Sequence, residues 1–160
     1  MRKLMSSVAA SAALMAGMAA TLQAGAQAST SGDGRLEATF TASPVSVTPG
    51  LGMVELIVTG PGTVQGFGAA TEVVGVVEDR AASPCGAGGA SDSAVRRIVL
   101  RGGVLELHEA GALCVTASGP KVTGTYRVDG QASTGIFAGA HGTGNVTVDL
   151  QPATTRSRGH

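Results

Sequence analysis

Val95-Arg96-Arg97-Ile98-Val99-Leu100-Arg101-Gly102-Gly103-Val104-Leu105-Glu106-Leu107-His108-Glu109 reads as two alternating runs joined by a glycine pair. Apolar and polar residues that alternate have the period of a β-strand, whose successive side chains point to opposite faces. Gly102-Gly103 supplies the positive φ angles of a primed two-residue turn, so residues 95–101 and 104–109 are expected to form a β-hairpin.

The same pattern extends in both directions. Residues 35–40 place Leu36, Ala38 and Phe40 on one face, and residues 53–59 place Val54, Leu56 and Val58 inward. Ser43-Pro44, Thr48-Pro49-Gly50 and Gly60-Pro61-Gly62 carry turn residues and are expected to reverse the chain. Residues 63–68 and 71–78 read as one bent strand or two short ones, with a bulge at Gly75, and residues 81–93 as a flexible loop. Residues 112–117, 122–129 and 145–150 complete about eight strands. No helical period is present to cover an open sheet, so the expected fold is all-β, a single small antiparallel β-barrel whose closure removes the exposed edges.

At the N-terminus Arg2 and Lys3 precede an apolar run from residue 4 to residue 22, and small residues alternate up to Ala28. That order is the n-region, h-region and cleavage site of a secretory signal peptide, expected to span residues 1–28 with cleavage after Ala28. The barrel is then expected in residues 29–150, with residues 151–160 a disordered polar tail. The reading implies a protein that is secreted, or periplasmic where the host has an outer membrane, with no stable membrane insertion once the leader is removed. Loss of Arg2 and Lys3 from 11 basic residues against 11 acidic ones leaves a slightly acidic mature chain, which does not favour nucleic acid. Three Phe, one Tyr and no Trp leave few stacking platforms for sugars or single strands.

Cys85 and Cys114 are the only cysteines. In an oxidising compartment an even pair implies a disulfide. Two thiols with His108 nearby do not make a zinc site, so neither a metal nor another cofactor is expected.

Thr134-Gly135-Ile136-Phe137-Ala138-Gly139-Ala140, continuing through Gly142 and Gly144, sets one ring among small residues. Physically it suits a barrel corner in which glycines permit close backbone packing and Phe137 plugs the end. No helix and no Gly-Lys-Ser/Thr follow, so it is not a phosphate loop. The segment from residue 122 to residue 148 resembles uncharacterised secreted bacterial proteins related to the allene oxide cyclase and dirigent β-barrels. The resemblance implies a barrel with an interior cavity; the plant relatives guide cyclisation or radical coupling there. A departure stands at Ala132-Ser133, where the family has a glycine pair. No catalytic residue carries over.

Glu106 and His108 share a strand face and form the best acid–base pair, although with Leu105 and Leu107 inward they face solvent. Tyr126 shares a face with Val122 and Val128, so its hydroxyl is an expected interior polar handle. Arg127 and Asp129, on the opposite face, are expected to form an exposed ion pair, and His141 to be an exposed loop residue. No Gly-x-Ser-x-Gly or paired-histidine motif is present. The leading expectation is a non-catalytic barrel that binds an apolar small molecule or acts at the cell envelope. The alternative is an isomerase or cyclase with a hydrophobic substrate.

Overall fold

The computed structural model describes residues 18–23 and 37–150. Residues 29–36, the expected polar tail and all of the expected leader except residues 18–23 lie outside them. Strands β1 (Met18–Gln23), β2 (Glu37–Pro49), β3 (Met53–Val64), β4 (Gly68–Asp79), β5 (Ala90–Leu100), β6 (Gly103–Thr116), β7 (Gly119–Val128) and β8 (Thr143–Leu150) follow one another around a closed antiparallel barrel. Seven of them come from the continuous stretch 37–150. The eighth, β1, lies within the expected leader and fills the seam between β2 and β8, pairing Ala20 with Phe40 on one side and with Val148 on the other.

The fold is the expected one, with its strands divided differently. Residues 104–109 and 112–116 belong to one strand, β6, and residue 117 begins the turn that follows. Gly60-Pro61-Gly62 does not turn. It runs through β3, which reverses at residues 65–67 instead. Nor does Ser43-Pro44 turn: β2 carries a register shift between Pro44 and Ser46, the kind of irregularity where a residue without an N–H is tolerated. The later reversal falls at residues 50–52, just past Thr48-Pro49. No bulge forms at Gly75, where pairing with Ile57 and Val95 is unbroken. The hairpin of residues 95–109 is present, with Leu100 paired to Gly103 across Arg101-Gly102; the positive φ (+150°) falls on Gly103, not on the two turn residues as a primed turn requires.

Two glycines explain why rings fit inside so narrow a barrel. Gly62 pairs with Phe40 and Gly144 with Tyr126. A Cβ on Gly62 would stand 2.3 Å from Phe40 Cδ1, and one on Gly144 2.6 Å from the Tyr126 hydroxyl. Each ring therefore lies over bare backbone on the neighbouring strand, an arrangement that restores packing a glycine would otherwise lose. These rings join Val64, Ile98, Leu105, Leu107 and Phe137 in the buried core.

The glycine-rich motif closes this end. Thr134 N donates to Val104 O (2.8 Å), Ile136 N to Gly102 O (3.1 Å), and the Thr134 hydroxyl accepts from Val104 N (3.1 Å). Gly135 has φ +62° and a Cβ there would lie 2.0 Å from Gly102 O, so the turn can approach the hairpin only without a side chain. Phe137 is buried, as expected of a plug, and Phe67 tilts against it with ring centroids 5.3 Å apart. At the opposite end Cys85, in the loop 80–89, is bonded to Cys114 of β6, with Cα atoms 5.5 Å apart. Among the described residues no helix is long and apolar enough to cross a membrane.

Candidate functional site

The inward faces of β4, β5 and β6 are not uniformly apolar. Glu72 and Glu78 point inward from β4, Asp92 and Arg96 from β5 and Glu109 from β6, all of them buried. Strand alternation puts them there: Glu72, Val74, Val76 and Glu78 share one face, and register sets Val74 beside Arg96 and Glu78 beside Asp92. Arg96 is the hub. Its Nε and Nη2 donate to the two oxygens of Glu109 (2.5 and 3.0 Å), and its Nη1 donates to Glu72 Oε2.

With Ala42, Val58, Val76, Ala94, Val122, Val148 and others, these five charged side chains line a cavity of about 30 Å³ in the half of the barrel toward the disulfide. That is room for about two water molecules. The electrostatics follow from burial with too few cations. Burial pushes the Asp92 carboxyl up to about 7, with the charges of Glu78 and Glu109 adding to the effect. Burial also raises Glu72 against the pull of Arg96, and raises Glu78 against that of Arg80. Burial alone would lower Arg96, but its hydrogen bonds and charge pairing with Glu109 and Glu72 override this and hold the guanidinium protonated. Glu72 Oε1 has no hydrogen-bond partner. A protonated carboxyl or a cation is what such an array accommodates.

Tyr126 points inward as expected, with 2% exposure, yet it does not line the cavity. Its hydroxyl is buried without a partner over Gly144, and burial, with help from Glu109, moves its pKa to about 12. It is therefore a poor proton donor near neutrality, and the expected handle does not reach the cavity.

Glu106 and His108 do face outward, but the expectation that both lie open to solvent needs correction. Glu106 is 5% exposed. The chain after β7 crosses over it: Asp129 N donates to Glu106 O (2.9 Å) and Glu106 N to the Ser133 hydroxyl (2.9 Å). His108 Nε2 lies 3.3 Å from both Glu106 Oε1 and Asp129 Oδ2. Among the described residues no ion pair within 4.0 Å joins Asp129 to Arg127; hydrogen bonds from Ala132 N and Gln131 N, with the charges of His108 and Arg127, lower the Asp129 carboxyl. Donor atoms of Glu106, His108 and Asp129 all lie within 4.8 Å of one another. His141 is exposed, as expected.

Residue spacing points to the outer pair and conceals the inner cluster. The reason is that apolar residues stand on both faces of these strands: in β4 Val73 and Val77 are exposed while Val74 is buried, and in β5 Val95 and Val99 are exposed while Ile98 and Leu100 are buried. Alternation alone does not say which face is interior. No family model, curated protein or solved structure matches this chain.

Proposed function

We propose that this is an exported, non-catalytic β-barrel that binds the ammonium group of a small aliphatic amine in its interior. The observation that carries the reading is the imbalance of Glu72, Glu78, Asp92 and Glu109 against Arg96 alone around one cavity. An ammonium group is about as large as a water molecule, so a methylammonium ion fills the space, and the valines and alanines of the wall suit its methyl group. This narrows the expected apolar ligand to one with a cationic head. Export is supported by the N-terminal order of charges and apolar residues and by the Cys85–Cys114 bond.

A cation entering this site displaces protons from carboxyls whose pKa values are raised, so binding strengthens as pH rises through about 7. The test is calorimetry of the processed protein with methylamine and with formate at pH 6, 7 and 8. Methylamine is expected to bind more tightly at each step upward, formate not at all, and Asp92→Asn with Glu78→Gln to abolish the heat. Equal binding of formate, or no amine binding at any pH, overturns the reading. Intact mass of the exported chain is expected to correspond to a start at Ser29, which takes β1 out of the seam between β2 and β8; a retained leader would keep β1 in the seam and overturn the export reading.

A second reading, an acid–base isomerase or cyclase acting on a hydrophobic substrate, is favoured by one observation. Asp92 titrates at about 7, where a general acid or base is most effective. The resemblance of residues 122–148 to the cyclase and dirigent barrels supports it as well, at the level of fold. Incubating lipids extracted from the host's medium with the protein in heavy water is expected, on this reading, to introduce deuterium into one component. Uptake that persists with Asp92→Asn, or no uptake, counts against it.

A further inference from the structure

On the outer wall of the barrel, independently of the interior cavity, Glu106, His108 and Asp129 each turn one potential ligand atom toward the others, all within 4.8 Å. Glu106 Oε2 accepts from Arg97 Nε (2.7 Å), which leaves Oε1 directed at His108. Asp129 Oδ1 accepts the backbone N–H groups of Gln131 (3.0 Å) and Ala132 (3.1 Å), which leaves Oδ2 directed at the same imidazole. His108 Nε2 stands 3.3 Å from each oxygen, and a single N–H cannot align with both.

The spacing is informative. Zinc bonds of 2.0–2.1 Å to nitrogen and oxygen, arranged tetrahedrally, place neighbouring ligands about 3.3–3.4 Å apart, the distance of His108 Nε2 from each oxygen, while the two oxygens lie within 4.8 Å of one another. Octahedral magnesium at similar bond lengths brings adjacent ligands to about 3.0 Å, and calcium takes oxygen rather than imidazole. Supporting contacts hold two of the donors: the Ser133 hydroxyl fixes the Glu106 backbone, and the turn at 129–132 fixes Asp129.

We propose that Glu106, His108 and Asp129 form a Zn²⁺ site, with solvent in the fourth position. An ion there ties β6 to the segment that crosses the closed end of the barrel, joining Glu106 and His108 to a carboxylate 21 residues beyond His108. Three protein ligands and one exchangeable position are also the arrangement in which zinc lowers the pKa of bound water.

The experiment is calorimetric titration of the untagged, EDTA-stripped protein with ZnCl₂, MgCl₂ and CaCl₂ at pH 7.5. Zinc is expected to bind one to one and to raise the unfolding midpoint, with magnesium and calcium far weaker. His108→Ala and Asp129→Asn are each expected to weaken zinc binding at least about tenfold. His141→Ala, in the exposed loop, is expected to leave it unchanged. Unfolding in EDTA reports whether each variant is folded; where one is not, the other supplies the comparison. Absence of one-to-one binding, binding indifferent to both ligand variants, or equal affinity for calcium or magnesium overturns the assignment.

Discussion

The two ends of this barrel are built from opposite materials. Where residues 65–67 and 101–102 turn, the interior is filled by Phe40, Tyr126, Ile98, Leu105 and Leu107 and sealed by Phe137. Toward the disulfide, the same strands turn carboxylates inward around a cavity, and a covalent bond holds the loop 80–89 to β6. One end gains stability from buried apolar surface, roughly 25 cal/mol per Å². The other forgoes part of that gain and keeps acids where water is scarce. Such an arrangement lowers stability unless something binds there, which is why the proposed ligand site is placed at the acidic end.

The contrast is sharpened most by Phe40→Ala. It leaves a void beside Gly62 and is expected to cost about 3–5 kcal/mol, read as a lower urea midpoint. A loss below about 1 kcal/mol would mean that the apolar end is not the stabilising one. Asp92→Asn is expected to act in the other direction. Its folded pKa of about 7 exceeds the ordinary 3.8, so between those values the folded chain holds a proton that the unfolded chain has released. Stability attributable to this group is full below pH about 4 and is lost as pH rises through about 7. The variant is therefore expected to be more stable than the wild type at pH 8, by up to about 4 kcal/mol, with little difference at pH 4. Denaturation curves at the two pH values check this, and an equal effect at both would contradict the assignment.

Replacing Cys85 and Cys114 together by serine opens a loop with a sequence separation of 29 and is expected to cost about 3.5 kcal/mol. Proteolysis should then begin in residues 80–89; first cuts at residues 129–142 would show that the capped end is the weaker. The smallest effect belongs to Phe67→Ala. This ring is half exposed and packs on Phe137, so its loss is expected to cost about 1 kcal/mol in thermal unfolding.

Part of this contrast is legible in the order of residues. Phe137 among glycines marks a plug, and the glycine-rich motif does cap the closed end. Gly60-Pro61-Gly62 misleads, because its glycines serve packing: Gly62 lets Phe40 lie against bare backbone and Gly60 admits the backbone of Thr41 and Ala42. Glu106 and His108 are visible as a pair from their spacing, but Asp129 joins them only through the pairing of β6 with β7 and the chain's return over Glu106. Their separation in sequence conceals it.

Taken alone, the amino-acid sequence determines the all-β class, the inward set Leu105, Leu107, Val122, Tyr126 and Val128, and the Cys85–Cys114 pair, since each follows from period-two alternation or from simple counting. Tertiary structure decides which face of β4 and β5 is interior, because apolar residues on both faces, Val73 and Val77 against Val74 in β4 and Val95 and Val99 against Ile98 and Leu100 in β5, leave the alternation ambiguous. It thereby decides that Glu72, Glu78, Asp92, Arg96 and Glu109 meet around one cavity. Strand register supplies that meeting: the groups come from three strands, and only the hydrogen-bonded ladders between those strands fix them side by side.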